Sequence, residues 1–532
     1  KLSSTGTGAN KTVLAELDAA IADVDKLSST GTGANKTVLA ELEVEDITIN
    51  GNISSPLFIT TNQTVYPLTE GDLRYYIAFF KAAFISDDVL VNIILPVGGI
   101  TLTSDLEIGN AFGSNIRIKG NFMTSGDALR TNGFKLWVQG SLKAGCLDSL
   151  YIVAAGSTSV DPIQCQQGTL LLYAPIQIEH TATPYNAASA IKVYDEGSIH
   201  LICDGSTSPL TISNNMSLYG NSSGILLSQS QMFIYTLVDS VTPRTLSMTG
   251  VTYGIQVINN SVLTSTGLYT HLTQDNGGIV SPITYGVALY ASRVGNIVWQ
   301  GNVNSINSNG ASTKGSAIVE SLNNSMVTIF GTALSESRSL VSGIIANATS
   351  EVTILDITEV KYYTGLALST NAAIYNYGNS VMYFGSNLTI GTVTGTPAAV
   401  NRLSYGIYCG ANSAIYVKGN TTITDIFNTG GVYLSTSSEG VFNDYAIASA
   451  LNITSLPNPD RATYGLFAEK GCVVDIATAG TSTFTITNCT TGLYAGKMSY
   501  ISTSLAGTYT GVVADTSPAV NTVGNNNALI TT

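Results

Sequence analysis

From Ala190 to Leu493 the chain repeats one order of apolar and polar positions eleven times. Each repeat opens with a small residue followed by an aliphatic one. The small residues are Ala190, Gly224, Gly254, Gly286, Ala317, Gly343, Ala373, Gly406, Gly431, Gly465 and Gly492. Their partners are Ile191, Ile225, Ile255, Val287, Ile318, Ile344, Ile374, Ile407, Val432, Leu466 and Leu493. Successive pairs stand 25 to 34 residues apart. About seven residues after the small residue a second apolar alternation begins, often led by serine. Ser261, Ser325, Ser350, Ser380 and Ser413 are examples, and Ala414-Ile415-Tyr416-Val417 follows the last. A third, less regular stretch returns through Asn, Thr and Gly. Alternation with a period of two over four to six residues predicts short, half-buried strands.

A single turn of such strands has one apolar face and cannot bury it alone, so neighbouring turns must stack. Stacked strands lie about 4.8 Å apart, which lines equivalent positions up in columns. The aliphatic column after the small residue is expected to point inward. The small residue suits a tight bend or a crowded interior. Length variation belongs in outward loops. A propeller blade needs roughly 40 residues and four strands, and the Leu/Asn signature of a leucine-rich repeat is missing. The prediction is an all-β parallel β-helix, a solenoid on the order of 50 Å long at the inter-strand spacing.

The flanks differ from the repeats. Lys1–Leu17 recurs without change as Lys26–Leu42. Leu14, Leu17, Ile21 and Val24 form a short a/d seam, with Asn10 and Asn35 as N-caps, so 1–45 is expected to be a duplicated, coiled-coil-like helical neck. Residues 46–120 are expected to hold a linker strand, a helix and the opening turns of the solenoid. Thr69 caps that helix, Glu70 and Asp72 suit its first turn, and Leu73, Ile77, Phe80 and Phe84 share one face. Such a helix can cover the open end of a stack. The β-helix proper is assigned to 121–516, and 517–532 to a C-terminal cap or tail. The chain starts at Lys1 rather than Met, as a piece of a longer protein would.

Composition narrows the function. Of 532 residues, 44% are hydrophobic and only 11% charged, which excludes a disordered chain. The net charge of −13 and the scattered Lys and Arg argue against nucleic acid and against an anionic membrane surface. No apolar run reaches the roughly 18 residues of a membrane helix, so no membrane insertion is expected. The six cysteines lack metal-ligand spacing, and Cys409 and Cys489 stand at different repeat phases, so buried free thiols are expected, with one or two disulfides as the alternative. Thirteen N-x-S/T sequons are what chance gives in a chain so rich in Asn, Ser and Thr.

The chemistry is sparse. His180, His200 and His271 lie far apart in sequence and in repeat phase, so no three-His metal site is expected. Glycoside cleavage needs two carboxyl groups roughly 5 to 9.5 Å apart. Asp195, Glu196 and Asp204 are candidates, as are Asp425, Asp444 and Asp460, but their repeat phases differ. Asp195-Glu196-Gly197 also reads as a plain turn. The triplet Arg117-Ile118-Lys119 is shared with polygalacturonases, whose other motifs are absent. No catalytic, cofactor or metal residue is therefore assigned. Trp137, Trp299 and the pre-repeat tyrosines Tyr253, Tyr285, Tyr405 and Tyr464 offer flat faces for sugars, or else stack between turns.

Three stretches resemble bacteriophage tail fibres and tailspikes with right-handed parallel β-helix shafts. They are the duplicated segment 1–42, the run from Asp88 to Asn121 (DVLVNIILPVGG…LEIGNAFGSNIRIKGN), and turns such as TYGLFAEKGCVVDI and TTGLYAGKMSYI. The resemblance implies a right-handed coil, a homotrimer, an extracellular place in the virion's tail, and contacts with other tail or baseplate proteins. It also implies attachment to a host surface polysaccharide or receptor. A non-enzymatic structural fibre comes first. A depolymerase that cleaves the glycan, by hydrolysis or as a lyase, and a cell-surface adhesin or filament remain as alternatives.

Overall fold

A computed structural model describes residues 58–531. It leaves out 112–114, 121–123, 155–159, 181–188, 204–207, 214–221, 237–242, 268–269, 276–284, 309–314, 338–341, 363–371, 393–402, 443–449, 458–460, 477–482, 504–506 and 518–527. The expected neck, with Leu14, Leu17, Ile21, Val24, Asn10 and Asn35, lies outside the described residues, as do Asp204, Asp444 and Asp460. Two compact units divide the chain. In the smaller, Phe58 and Phe84 stack with ring centroids 5.5 Å apart.

The larger unit is a parallel β-solenoid. Its strands fall into three stacks, each strand pairing in parallel with its equivalent one turn on. The first stack carries the repeat's aliphatic column. Its register runs Leu106, Leu136, Ile163, Ile191, Ile225, Ile255, Leu289, Val319, Ile344, Ile374, Ile407, Val432, Leu466, Leu493 and Thr516. From Leu136 to Leu493 every one of these side chains is buried. The register reaches back to Gln63–Val65 and forward to Leu529–Thr531, both in the second stack.

Two repeats are read out of phase by the sequence. Leu289, not Val287, continues the aliphatic column, and Val319, not Ile318, follows it. Val287 instead pairs with Tyr253 and Ala317. The small-residue column takes Ala288 in place of Gly286 and Ile318 in place of Ala317. The cause is a longer apolar run. Val287-Ala288-Leu289 and Ala317-Ile318-Val319 are buried throughout, so a small-then-aliphatic pair does not mark the phase by itself. Elsewhere the glycines serve close approach. A Cβ on Gly431 would lie 2.9 Å from the Gly465 carbonyl oxygen, and one on Gly406 would lie 2.7 Å from that of Gly431.

The corner after the first stack is made from two consecutive left-handed residues. Asn259-Asn260, Arg293-Val294, Asn323-Asn324, Ala348-Thr349 and Ala411-Asn412 all have φ between 53° and 67°. Backbone bonds continue the stack around the bend: Asn324 N–H donates to Ala348 O at 2.9 Å and Asn379 N–H to Ala411 O at 2.9 Å. The serine that leads the second alternation comes next, and it is buried. Ser261, Ser325, Ser350, Ser380 and Ser413 are each at most 2% exposed. The Ser350 hydroxyl donates to Asn347 O at 2.8 Å and accepts the Ser325 N–H at 3.3 Å. These hydroxyls do the work of backbone groups in a dry corner, where an unmade bond is costly.

The core is mostly apolar, and polar residues enter it at particular turns. In the third stack the inward column runs Met248, Gln274, Ser305, Ser335 and Val360. Gln274 Nε2 donates to Val251 O at 2.8 Å and Thr252 O at 3.1 Å, and the Ser335 hydroxyl donates to Ser316 O at 2.6 Å. Such bonds make buried polar groups tolerable.

A helix spans Glu70–Ala82, with Leu73, Ile77 and Phe80 buried. Thr69 and Asp72 form a reciprocal cap: the Asp72 N–H donates to Thr69 Oγ1 at 3.2 Å and the Thr69 N–H to Asp72 Oδ2 at 2.9 Å. Glu70 accepts the Thr103 hydroxyl at 2.6 Å, and Arg74 donates to Ser104 O at 2.6 Å and Asp105 O at 2.9 Å. Phe84 is not on the helix face. The helix ends at Ala82, and Phe84 belongs to a two-residue strand that leaves it 49% exposed.

Candidate functional site

Five rings form a continuous stack on the outer face of the first stack of strands. Tyr375, Tyr408, Tyr433, Phe467 and Tyr494 occupy one register position in successive turns. Their centroids are 5.3, 5.5, 4.5 and 4.9 Å apart and their planes lie 4° to 10° from parallel. Each sits two residues after the small residue of its repeat. Burial pushes the phenols of Tyr375 and Tyr408 up, and Tyr433 up to about 12, with the Tyr405 phenol adding to the last. Ring faces inside this stack are covered by the next ring, so edges and hydroxyls are what it presents outward.

The tyrosines before the small residue do not make a stripe of their own. Gly430 stands between Tyr405 and Tyr464 in the register, and Val287, not Tyr285, is in line with Tyr253. Tyr405 packs against Tyr433 at 5.0 Å and Tyr464 against Phe467 at 4.7 Å, so both buttress the stack. Of the tryptophans, Trp299 is fully buried, in line with Ile329 in the second stack. It alternates with Asn296 and Val298, which face out. Trp137 is half-buried, with Lys135 Nζ 4.6 Å from its ring centre.

Asp195, Asp425 and the Arg117–Lys119 pair have structural partners. Asp195 and Glu196 occupy a left-handed corner, and Asp195 accepts from Gln166 Nε2 at 2.9 Å. Asp425 accepts the Thr392 hydroxyl at 2.6 Å and the Thr424 hydroxyl at 3.1 Å. Arg117 and Lys119 both reach Asp148, at 3.5 and 3.7 Å, and Arg117 lies 4.0 Å from the centre of the Tyr173 ring. His180 ends a strand and is buried. His200 stacks on Tyr235 at 5.5 Å, and His271 Nδ1 accepts the Asn302 N–H at 3.0 Å. Burial pulls the latter two imidazoles below their usual value. All six cysteines are buried free thiols. Among the described residues, no group of three His, Cys, Asp or Glu is placed to hold a metal.

A groove at the corner after the first stack is the open polar feature. Gln229, Asn259, Asn260, Arg293, Val294, Asn323 and Asn324 line it. Asn259 Nδ2 donates to the Ser228 hydroxyl at 3.0 Å and Asn323 Nδ2 to the Ser292 hydroxyl at 3.2 Å. Gln229, Asn260, Arg293 and Asn324 are exposed, and their side chains make no hydrogen bond or ion pair with described residues. On the strands that lead to this corner, Tyr253 and Tyr290 meet at 4.5 Å with their planes tilted 51°, unlike the parallel stack. The groove joins residues of four turns, so no local motif contains it. Its sequence signal is the pair Asn-Asn, Arg-Val, Asn-Asn at one repeat phase. No family model, curated protein or solved structure matches this chain.

Proposed function

We propose that this chain is the shaft of a bacteriophage tail fibre: a homotrimeric structural part of the virion that mediates attachment to a host cell-surface glycan or receptor. The observation that carries this is the register, unbroken from Gln63–Val65 to Leu529–Thr531, which makes a stiff periodic wall with its variation confined to loops and corners. The coil is taken as right-handed, the hand of nearly all parallel crossovers. The helix Glu70–Ala82 is assigned to cover the first turns, in keeping with the bonds of Glu70 and Arg74 to residues 103–105. Residues 1–42, with their repeated seam, are assigned to a neck where three chains meet and where other tail or baseplate proteins dock.

The test is incubation of the purified chain with bacterial cells and their capsular polysaccharide. Adsorption without oligosaccharide release is expected. Clear depolymerisation would replace the fibre by a depolymerase, and a monomer mass in light scattering would sink the trimer.

A further inference from the structure

We propose that the corner groove between Gln229 and Asn324 binds an acidic oligosaccharide, with Arg293 taking the carboxylate of one sugar and the corner amides taking hydroxyls of its neighbours. This rests on the attachment function above and deepens it.

Charge comes first. The chain carries a net −13, yet among the described residues the only ionisable group lining the groove is a cation, Arg293. No described carboxylate pairs with it. A guanidinium presents a planar fork of donors that matches a carboxylate in a bidentate pair. The remaining polar lining is amide. Each Asn or Gln offers a donor and an acceptor side by side, the complement of adjacent sugar hydroxyls. Amides line the groove in the turns of Gln229, Asn259–Asn260 and Asn323–Asn324, with Arg293 in the turn between the last two, and successive turns are about 4.8 Å apart.

The corner is already rigid without these side chains. Asn260 N–H donates to Arg293 O at 3.1 Å, Val294 N–H to Asn323 O at 3.1 Å, and Asn324 N–H to Ala348 O at 2.9 Å. The backbone therefore holds the groove in place before a ligand arrives, which cuts the ordering cost of binding. A left-handed corner favours Asn, and the turns on either side have Asn-Asn there. Arg293 is placed between them although the backbone does not ask for it. Burial raises the Tyr290 phenol, three residues before it, and the Glu320 carboxylate one turn on adds to that, while the Ser292 hydrogen bond and, more weakly, the Arg293 guanidinium oppose it.

The probes are galacturonate oligomers and the matching neutral galactose oligomers, titrated calorimetrically into the full chain. Galacturonate is expected to bind and the neutral oligomer to bind at least tenfold more weakly. Arg293→Gln should abolish that preference, Arg293→Lys should restore it only in part, and Asn324→Ala should weaken both probes. Equal binding of the two oligomers, no galacturonate binding, or an unchanged R293Q would each overturn the proposal. Adsorption of the same proteins to bacterial cells separates the two levels. An R293Q chain that loses galacturonate but still adsorbs fully removes the groove from attachment and leaves attachment standing. A wild-type chain that binds galacturonate but adsorbs to no cell keeps the groove and overturns attachment.

Discussion

The Ser413 hydroxyl accepts the backbone N–H of Ser380, one turn away, at 3.1 Å. Ser380 repeats the arrangement: its hydroxyl accepts the Ser350 N–H at 3.1 Å and donates to Tyr377 O at 2.7 Å. Ser380→Ala leaves a buried donor and a buried acceptor unmatched. It should lower unfolding free energy by about 1–3 kcal/mol in urea denaturation. Ser380→Cys should cost less, because Cys472 fills the equivalent place and its Sγ reaches Glu469 O at 2.8 Å. An alanine variant as stable as the parent would take these hydroxyls out of the account of stability.

The ring stack makes stability fall in alkali. Burial holds the Tyr433 phenol up to about 12 and raises Tyr375, Tyr408 and Tyr464, against about 10 for an unfolded tyrosine. The unfolded chain therefore loses these protons first as pH rises. The contribution is complete below pH about 10 and is lost as pH climbs towards about 12. Tyr433→Phe should flatten that decline. Denaturation midpoints that stay level across the window would contradict it.

The thiols should be silent in the folded chain. Burial pushes Cys146, Cys165, Cys409 and Cys489 up to about 12, so at neutral pH almost no thiolate is present. A water-soluble disulfide reagent should label none of the six until denaturant is added, and then all of them. Fast labelling of the native chain would show a thiol that is accessible and ionised.

Val294 holds φ 67°, a costly state for a β-branched side chain. Asn260 and Asn324, above and below it, hold φ 62° with a residue suited to it. Val294→Asn should raise unfolding free energy by about 1 kcal/mol, read as a higher denaturation midpoint. A lower midpoint would show that Val294 makes a contact worth more than the strain.

Much of the solenoid is legible in the sequence, because each turn repeats the same inward choice. Where it misleads, two signals compete. Gly286-Val287 matches the small-then-aliphatic pattern as well as Ala288-Leu289 does, and only Gly295, seven residues after Ala288, marks the phase. The serine rule would have placed Ile318 the same way through Ser325. Trp299 reads as a sugar platform by residue type, yet its parity with Ile297 sends it inward. Tyrosine is common both one residue before the small position and two residues after it, and only the register puts the aromatic column at the second. The groove at Arg293 is invisible to any local motif because its members meet only when four turns stack.

The serine corners also set the grain in which this protein can change. Ser230, Ser325, Ser350 and Ser380 each give a backbone N–H to a serine hydroxyl one turn on, so excising or duplicating a complete turn of that kind leaves the corners beside it with a partner. Losing one residue inside a strand instead turns its inward side chains outward. Such a chain gains or loses length in whole coils, which makes reach a countable, inheritable quantity.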